Sequence, residues 1–321
     1  MHLLQFQQTP FNVIAMRNAK DKMKKILIHI LLTAILFATF EPVGKLISTD
    51  VPPVLITAIR FLLGGFVLLL PALNIIRRER LRITARILLK TAALGVLLVC
   101  GAMVCLQQAV LLSSSPAVVA IVFSSNSILS ILFAWLVLKE KISKWHIVGF
   151  LLCICGIIIS ADLTHEISAL PVILAGLAAG LFSVYSVFAK KAMKNIPGTV
   201  FTCLSFLFGG GILMLAQVVM GIEVGHYIQG KTLLPLIYLG FVVTGIGFWD
   251  YFNILRLSTA FHASLVFFIK IILIPFAVWI INGLQPEMNI LAAMALVFTG
   301  SVIATVQPAA THPDKEKGSQ E

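Results

Sequence analysis

Residues 51–70 read VPPVLITAIRFLLGGFVLLL and residues 196–215 read IPGTVFTCLSFLFGGGILML. Laid over one another at an offset of 196 − 51 = 145 positions, they match at Pro52/Pro197, Thr57/Thr202, Phe61/Phe206, Leu62/Leu207, Gly64/Gly209, Gly65/Gly210, Leu68/Leu213 and Leu70/Leu215. The same offset carries LFATFEPVGK (36–45) onto LFSVYSVFAK (181–190), Leu94-Gly95 onto Leu239-Gly240, and Leu112-Ser113 onto Leu257-Ser258. One offset held through that much of the chain marks an internal duplication rather than chance hydrophobicity.

What was duplicated follows from composition. Of the 321 residues 59% are hydrophobic and only 12% charged, and the mean hydropathy is +1.02. These values lie far outside the range of soluble domains, so the chain reads as an all-α integral membrane protein. Runs long enough to cross about 30 Å of hydrocarbon are expected near 26–48, 53–76, 91–112, 115–138, 145–162, 168–189, 199–222, 232–254, 260–281 and 288–306. They are apolar on every face, whereas a barrel would show short alternating segments, so helices are the expected element.

These ten transmembrane helices fall five to a copy, giving a first repeat over 26–162 and a second over 168–306, between a cytoplasmic N-terminal segment (1–25) and a polar, disordered cytoplasmic tail (307–321). Five is odd, so the second copy enters the membrane from the opposite side. The expected fold is thus a 5+5 inverted repeat, an arrangement suited to opening one midplane site alternately to each side.

The formal net charge of +11 would suit nucleic acid, but its distribution argues for a bilayer instead. Arg17, Lys20, Lys22, Lys24 and Lys25 precede the first run, and Arg77, Arg78, Arg80, Arg82, Arg86 and Lys90 separate the second from the third. Lys139, Lys141 and Lys144, then Lys190, Lys191 and Lys194, then Arg256, then Lys315 and Lys317 occupy every other connection thereafter, and Lys231 is the exception on the opposite side. This positive-inside pattern places both termini in the cytoplasm and the protein, multi-pass, in the plasma membrane. No cleavable signal is expected, and the polar first 15 residues read as an extension upstream of a start at Met16. Cys100, Cys105, Cys153, Cys155 and Cys203 fall within expected helices with no CxxC pair, so neither disulfide nor metal site is expected.

The layout resembles the drug/metabolite transporter superfamily, and within it the EamA-type permeases. The residues that carry the resemblance are Pro52 with IRFLLGG in the second run, SSSPAVVAIVFSSNSILSILFAWLVLKEKISKWHIVGFLLCICGIIIS (113–160) across the fourth and fifth, and FHASLVFFIK in the ninth. Where such proteins usually repeat a small-Glu ending in the second half, this chain has Leu284 or Gln285 in place of a second Glu140. Glu140 itself sits between Lys139 and Lys141 and reads as an interfacial ion pair. The resemblance implies a secondary transporter, and export more than uptake.

Ionisable groups inside a bilayer cost about 2.5–3.5 kcal/mol each on insertion scales, so they are paired or line a wet cavity. Glu41 and Arg60 both lie about 10 Å below the outer turn, at 1.5 Å per residue, and are expected to pair across the first hairpin. Lys45, four residues after Glu41, is expected to snorkel or pair with it. Pro42 is expected to free the Ala38 carbonyl beside Glu41. Lys270 is nearest the midplane, with Asp250 on the neighbouring helix as its expected counter-charge. Gln107, Gln108, Asn126 and Asn253 supply uncharged hydrogen-bonding groups. Trp249 and Tyr185 are candidates for stacking but read first as packing, as do the glycine pairs.

The expectation is a secondary transporter of a small polar metabolite or amino acid, with Glu41, Arg60, Lys270, Asp250, Gln107, Gln108, Asn126 and Asn253 at a substrate-binding or coupling site. A proton is the candidate coupling ion. No cofactor, metal or nucleic acid is expected, and the chain is read as a monomer or homodimer. No GxxxxGK[ST] is present to couple ATP. The alternatives are a nucleotide-sugar or phosphorylated-sugar exchanger of the same superfamily and, behind it, a membrane-embedded enzyme. For the latter, His146, His165, His226 and His262 are too scattered to form a metal-holding face.

Overall fold

The computed structural model describes residues 25–138, 144–160, 169–257 and 260–305. The expectations for the first 24 residues, for Glu140 among its lysines and for the tail lie outside them. Among the described residues the chain is helical throughout, with no strand. Seven helices are long and apolar enough to cross a membrane: α1 (Lys25–Ile47), α2 (Pro53–Arg78), α3 (Ala85–Leu112), α6 (Ala169–Ala192), α7 (Gly198–Val219), α8 (Gly230–Ile254) and α9, apolar over Leu265–Asn282. Three shorter apolar helices stand where the fourth, fifth and tenth runs were expected: α4 (Pro116–Ser124, continued by Asn126–Leu138), α5 (Lys144–Ser160) and α10 (Met288–Thr305).

The largest departure in boundaries is α3, which begins at Ala85 rather than near residue 91. Thr84 stands at its N-cap in extended backbone and accepts from the Ile87 amide, so Arg86 and Lys90 belong to the helix rather than to the connection before it. Pro52 and Pro197 cap α2 and α7 in the same backbone conformation, as the duplicated sequence requires. Lys231, the basic exception among connections otherwise poor in basic residues, forms a salt bridge to Asp50 at 3.0 Å.

Small residues decide where helices cross. A Cβ on Gly209 would stand 2.5 Å from the Gly95 carbonyl oxygen, so α7 and α3 touch backbone to backbone. Its duplicate Gly64 faces the Thr244 side chain at 2.8 Å, bringing α2 onto α8 in the matching way. Gly65 packs on Leu207 and Gly210 on Leu62, so α2 and α7 cross at their shared sequence motif. At that crossing Phe61 and Phe206 meet edge to face with centroids 4.8 Å apart. Gly149 and Gly300 approach each other similarly between α5 and α10.

Two kinds of irregularity interrupt the helices. Residues Val96–Met103 of α3 and Tyr238–Gly247 of α8 are wound as π-helix, and at the 145 offset the two stretches overlap. Such winding inside a longer helix recurs at functional sites. By contrast, α1 breaks at Thr39, whose amide bonds to the Leu36 carbonyl three residues back, and α4 breaks at Ser125. At the second break the Ser125 hydroxyl donates to the Val122 carbonyl and the Asn126 amide to the Phe123 carbonyl, so local side chains take over the helix's own acceptors.

Candidate functional site

Between the two halves lies a cavity of about 30 Å³. Six phenylalanines contribute to its wall: Phe37 and Phe40 from α1, Phe123 from α4, Phe182 from α6, Phe248 from α8 and Phe267 from α9. Met103, Leu106 and Val243 add further apolar surface, and among the described residues the only polar ones in the lining are Arg60 and Lys270. The volume accommodates a water or two.

Glu41 pairs with Lys270, not with Arg60. Its Oε1 accepts from Lys270 Nζ at 2.5 Å, with both side chains buried. Depth along the chain is similar for Glu41 and Arg60, but packing rotates Glu41 toward α9. The pair therefore joins the first helix of the first copy to the fourth helix of the second. The other carboxylate oxygen, Oε2, is buried without a hydrogen-bond partner. Lys270 Nζ also lies 5.4 Å from the Phe123 ring centre.

Arg60 is among the most completely buried large side chains of the protein. Its Nε donates to the Thr244 hydroxyl at 3.0 Å, and its guanidinium carbon stacks 4.0 Å from the centre of Phe40 and 4.9 Å from that of Phe61. Nη1 is buried without a hydrogen-bond partner. Two aromatic faces and one hydroxyl thus hold the planar fork in place while leaving it a donor to spare.

Asp250 does not neutralise Lys270. Its Oδ1 lies 2.7 Å from His29 Nδ1 and its Oδ2 accepts from the Thr33 hydroxyl at 2.9 Å, so it ties the inner part of α1 to α8 away from the cavity. Lys45 does not reach back to Glu41 either: it donates to the carbonyls of Leu111 and Ser113 at 2.8 and 2.6 Å, at the C-terminus of α3. A cation there meets carbonyls with no helical partner.

Of the uncharged candidates, Gln107 is buried against α1, its Nε2 3.5 Å from the Gly44 carbonyl and its Oε1 unpartnered. Gln108 and Asn253 are half-buried and Asn126 is spent on the α4 break; none of the four lines the cavity. Trp249 is 40% exposed, while Tyr185 is buried and packs with Phe182 and Phe201. The aromatic wall was not foreseen as part of the site. Its signal was present in the duplicated Leu-Phe of LFATF and LFSVY, where Phe37 and Phe182 occupy equivalent positions.

The site thus joins a buried ion pair and a buried guanidinium to an aromatic cavity bounded by both copies of the repeated unit. The chain belongs to the EamA-like transporter family, whose model matches residues 24–161 and again 169–306. It is 32% identical over 290 residues to an uncharacterized transporter of Clostridium kluyveri, covering 88% of this chain and 93% of that protein. It is 26% identical to the uncharacterized transporter YvbV of Bacillus subtilis, covering 87% and 92%. A solved crystal structure shares the fold with a TM-score of 0.63 at 21% identity, over 86% of this chain and 95% of the other. The protein is a membrane transporter, and its family and relatives indicate transport rather than catalysis.

Proposed function

We propose that this protein is a secondary transporter that moves a small polar metabolite or amino acid out of the cell by alternating access, driven by an ion gradient or by exchange. The observation that carries the reading is the cavity bounded by both halves, with Arg60 and Lys270 as the charged residues in its described lining and Glu41 paired to Lys270 behind it. Charges this deep in a bilayer are retained where they meet a cargo or a coupling ion. Glu41, with one carboxylate oxygen unpartnered, is the candidate proton acceptor. In this reading all ten helices cross the plasma membrane, both termini are cytoplasmic, and the two copies have opposite orientation, as the basic residues around Arg77–Arg82 and Lys190–Lys194 suggest. The direction of transport rests on resemblance to exporters.

Flux tests the function directly. Purified protein in liposomes loaded with labelled metabolites is expected to release at least one of them faster than protein-free vesicles, and release that is uniformly independent of protein would refute the transporter reading. Topology is tested in intact cells. A cysteine introduced after Asp50 or near Gln285 is expected to react with an impermeant maleimide, and one near Arg80 is not; external labelling near Arg80 would remove the inverted arrangement.

A further inference from the structure

Resting on the transporter reading above but replacing its polar or amino-acid cargo, we propose that the cargo of this cavity is a singly charged organic anion, a carboxylate on an apolar and preferentially aromatic body, with the carboxylate held by Arg60. The argument begins with charge. Lys270 is matched by Glu41 at 2.5 Å, whereas Arg60 makes no salt bridge among the described residues. Arg60 and Lys270 against Glu41 leave one positive charge in a site walled by hydrocarbon. Such a charge is costly without a counter-ion, and only a monoanion cancels it. A zwitterion leaves the excess unchanged, a dianion reverses its sign, and a cation doubles it.

The donor is already placed. Nη1 of Arg60 is buried with no hydrogen-bond partner, Arg60 contributes to the cavity lining, and Thr244 and the rings of Phe40 and Phe61 hold the guanidinium. A planar fork held in this way is preorganised for a carboxylate. The body of the cargo is specified by the rest of the wall, where six phenylalanines and three aliphatic side chains offer no hydrogen bond to a hydroxyl-rich molecule. A cargo of benzoate size exceeds the present cavity, so it enters when the helices part and is enclosed when the rings close over it.

The test is equilibrium binding to the purified full-length protein, with labelled benzoate as the probe and benzamide, benzylammonium, phthalate and phenylalanine as competitors. Saturable benzoate binding is expected, with each competitor about 10-fold weaker or more, the scale of one lost charge-assisted hydrogen bond. Arg60→Gln is expected to weaken benzoate by at least about the same factor. If that variant does not fold, Arg60→Lys keeps the charge without the fork and is expected to bind benzoate more weakly while still preferring it to benzamide. Equal binding of benzoate by wild type and Arg60→Gln, or tighter binding of phenylalanine than benzoate, would overturn the proposal and leave the transporter reading intact. Benzoate binding without flux of any metabolite in liposomes would support the anion site and overturn the transporter reading instead.

Discussion

Phe37 and Phe182 stand 145 positions apart and both line the cavity, as do Met103 and Phe248. None of the four buried charges has such a counterpart: Glu41 corresponds to Ser186, Arg60 to Ser205, Asp250 to Cys105 and Lys270 to Ser125. The two halves thus share part of their apolar wall, their crossing glycines and their π-helical stretches, and differ in each of these four buried charges. The breaks are divided in the same fashion, since α1 and α4 are interrupted while their equivalents α6 and α9 run through, the latter with Pro275 inside it. Duplication supplied a scaffold, and chemistry entered each copy separately. The central ion pair needs one residue from each half, so neither copy alone holds a neutral site.

That division can be broken experimentally, and the largest effect is expected at the ion pair. Glu41→Gln or Lys270→Met alone leaves its partner buried and uncompensated, with an expected loss of about 3–5 kcal/mol in thermal or denaturant unfolding. The double variant Glu41→Gln/Lys270→Met is expected to recover most of that loss, because the equivalents Ser186 and Ser125 in the opposite copies show that the helices pack without charges there. If the double variant is as unstable as either single one, the pair is not the unit of stabilisation and the contrast between halves fails.

The next effect sharpens the comparison at an equivalent pair. Gly209→Ala drives a methyl against the Gly95 carbonyl and Val99, where backbone has to move, and is expected to cost about 1–3 kcal/mol. Gly64→Ala meets the Thr244 side chain first, with the Gly245 backbone nitrogen at 3.2 Å, and is expected to cost less in stability while displacing the hydroxyl that holds Arg60. Unfolding midpoints of the two variants side by side decide this, and equal losses would show that the two crossings are as symmetric in energy as in sequence. Smallest of all, Thr33→Val removes one hydrogen bond to Asp250 while leaving His29 in place, for an expected loss of about 1 kcal/mol in the same unfolding assay. A loss several times larger would mean that the inner α1–α8 contact carries more of the fold than the midplane pair.

The helices, their order and the buried charges were legible in the sequence because each depends on local composition. Hydropathy locates a span, a 145-residue offset exposes the duplication, and Glu41, Arg60, Asp250 and Lys270 stand out as ionised residues within apolar runs. Their partners were not legible. Glu41 and Lys270 are 229 positions apart, and which of two cations at similar depth a carboxylate meets is set by how three helices rotate against one another. The same holds for Asp250, whose partner His29 looks in sequence like one more residue of a lipid-facing run. Phenylalanine gives no compositional sign of facing a cavity instead of a neighbour, so the wall of the site emerged only once the helices were assembled. The π-helical stretches left a trace in the glycines at 95, 101, 240, 245 and 247, but glycine spacing alone does not distinguish tight packing from altered winding.

The break at Thr39 makes α1 two rods joined by an articulated link. The outer rod is fastened by Lys45 to the end of α3, by Glu41 to α9, and by the Asn282 amide donating to the Pro42 carbonyl at 3.2 Å. The inner rod is fastened by His29 and Thr33 to α8. The two rods are thus anchored to different neighbours on either side of the break. In the alternating-access cycle proposed above, a helix so divided would let the contacts of one segment be released while those of the other hold, which a straight rod of the same length would not.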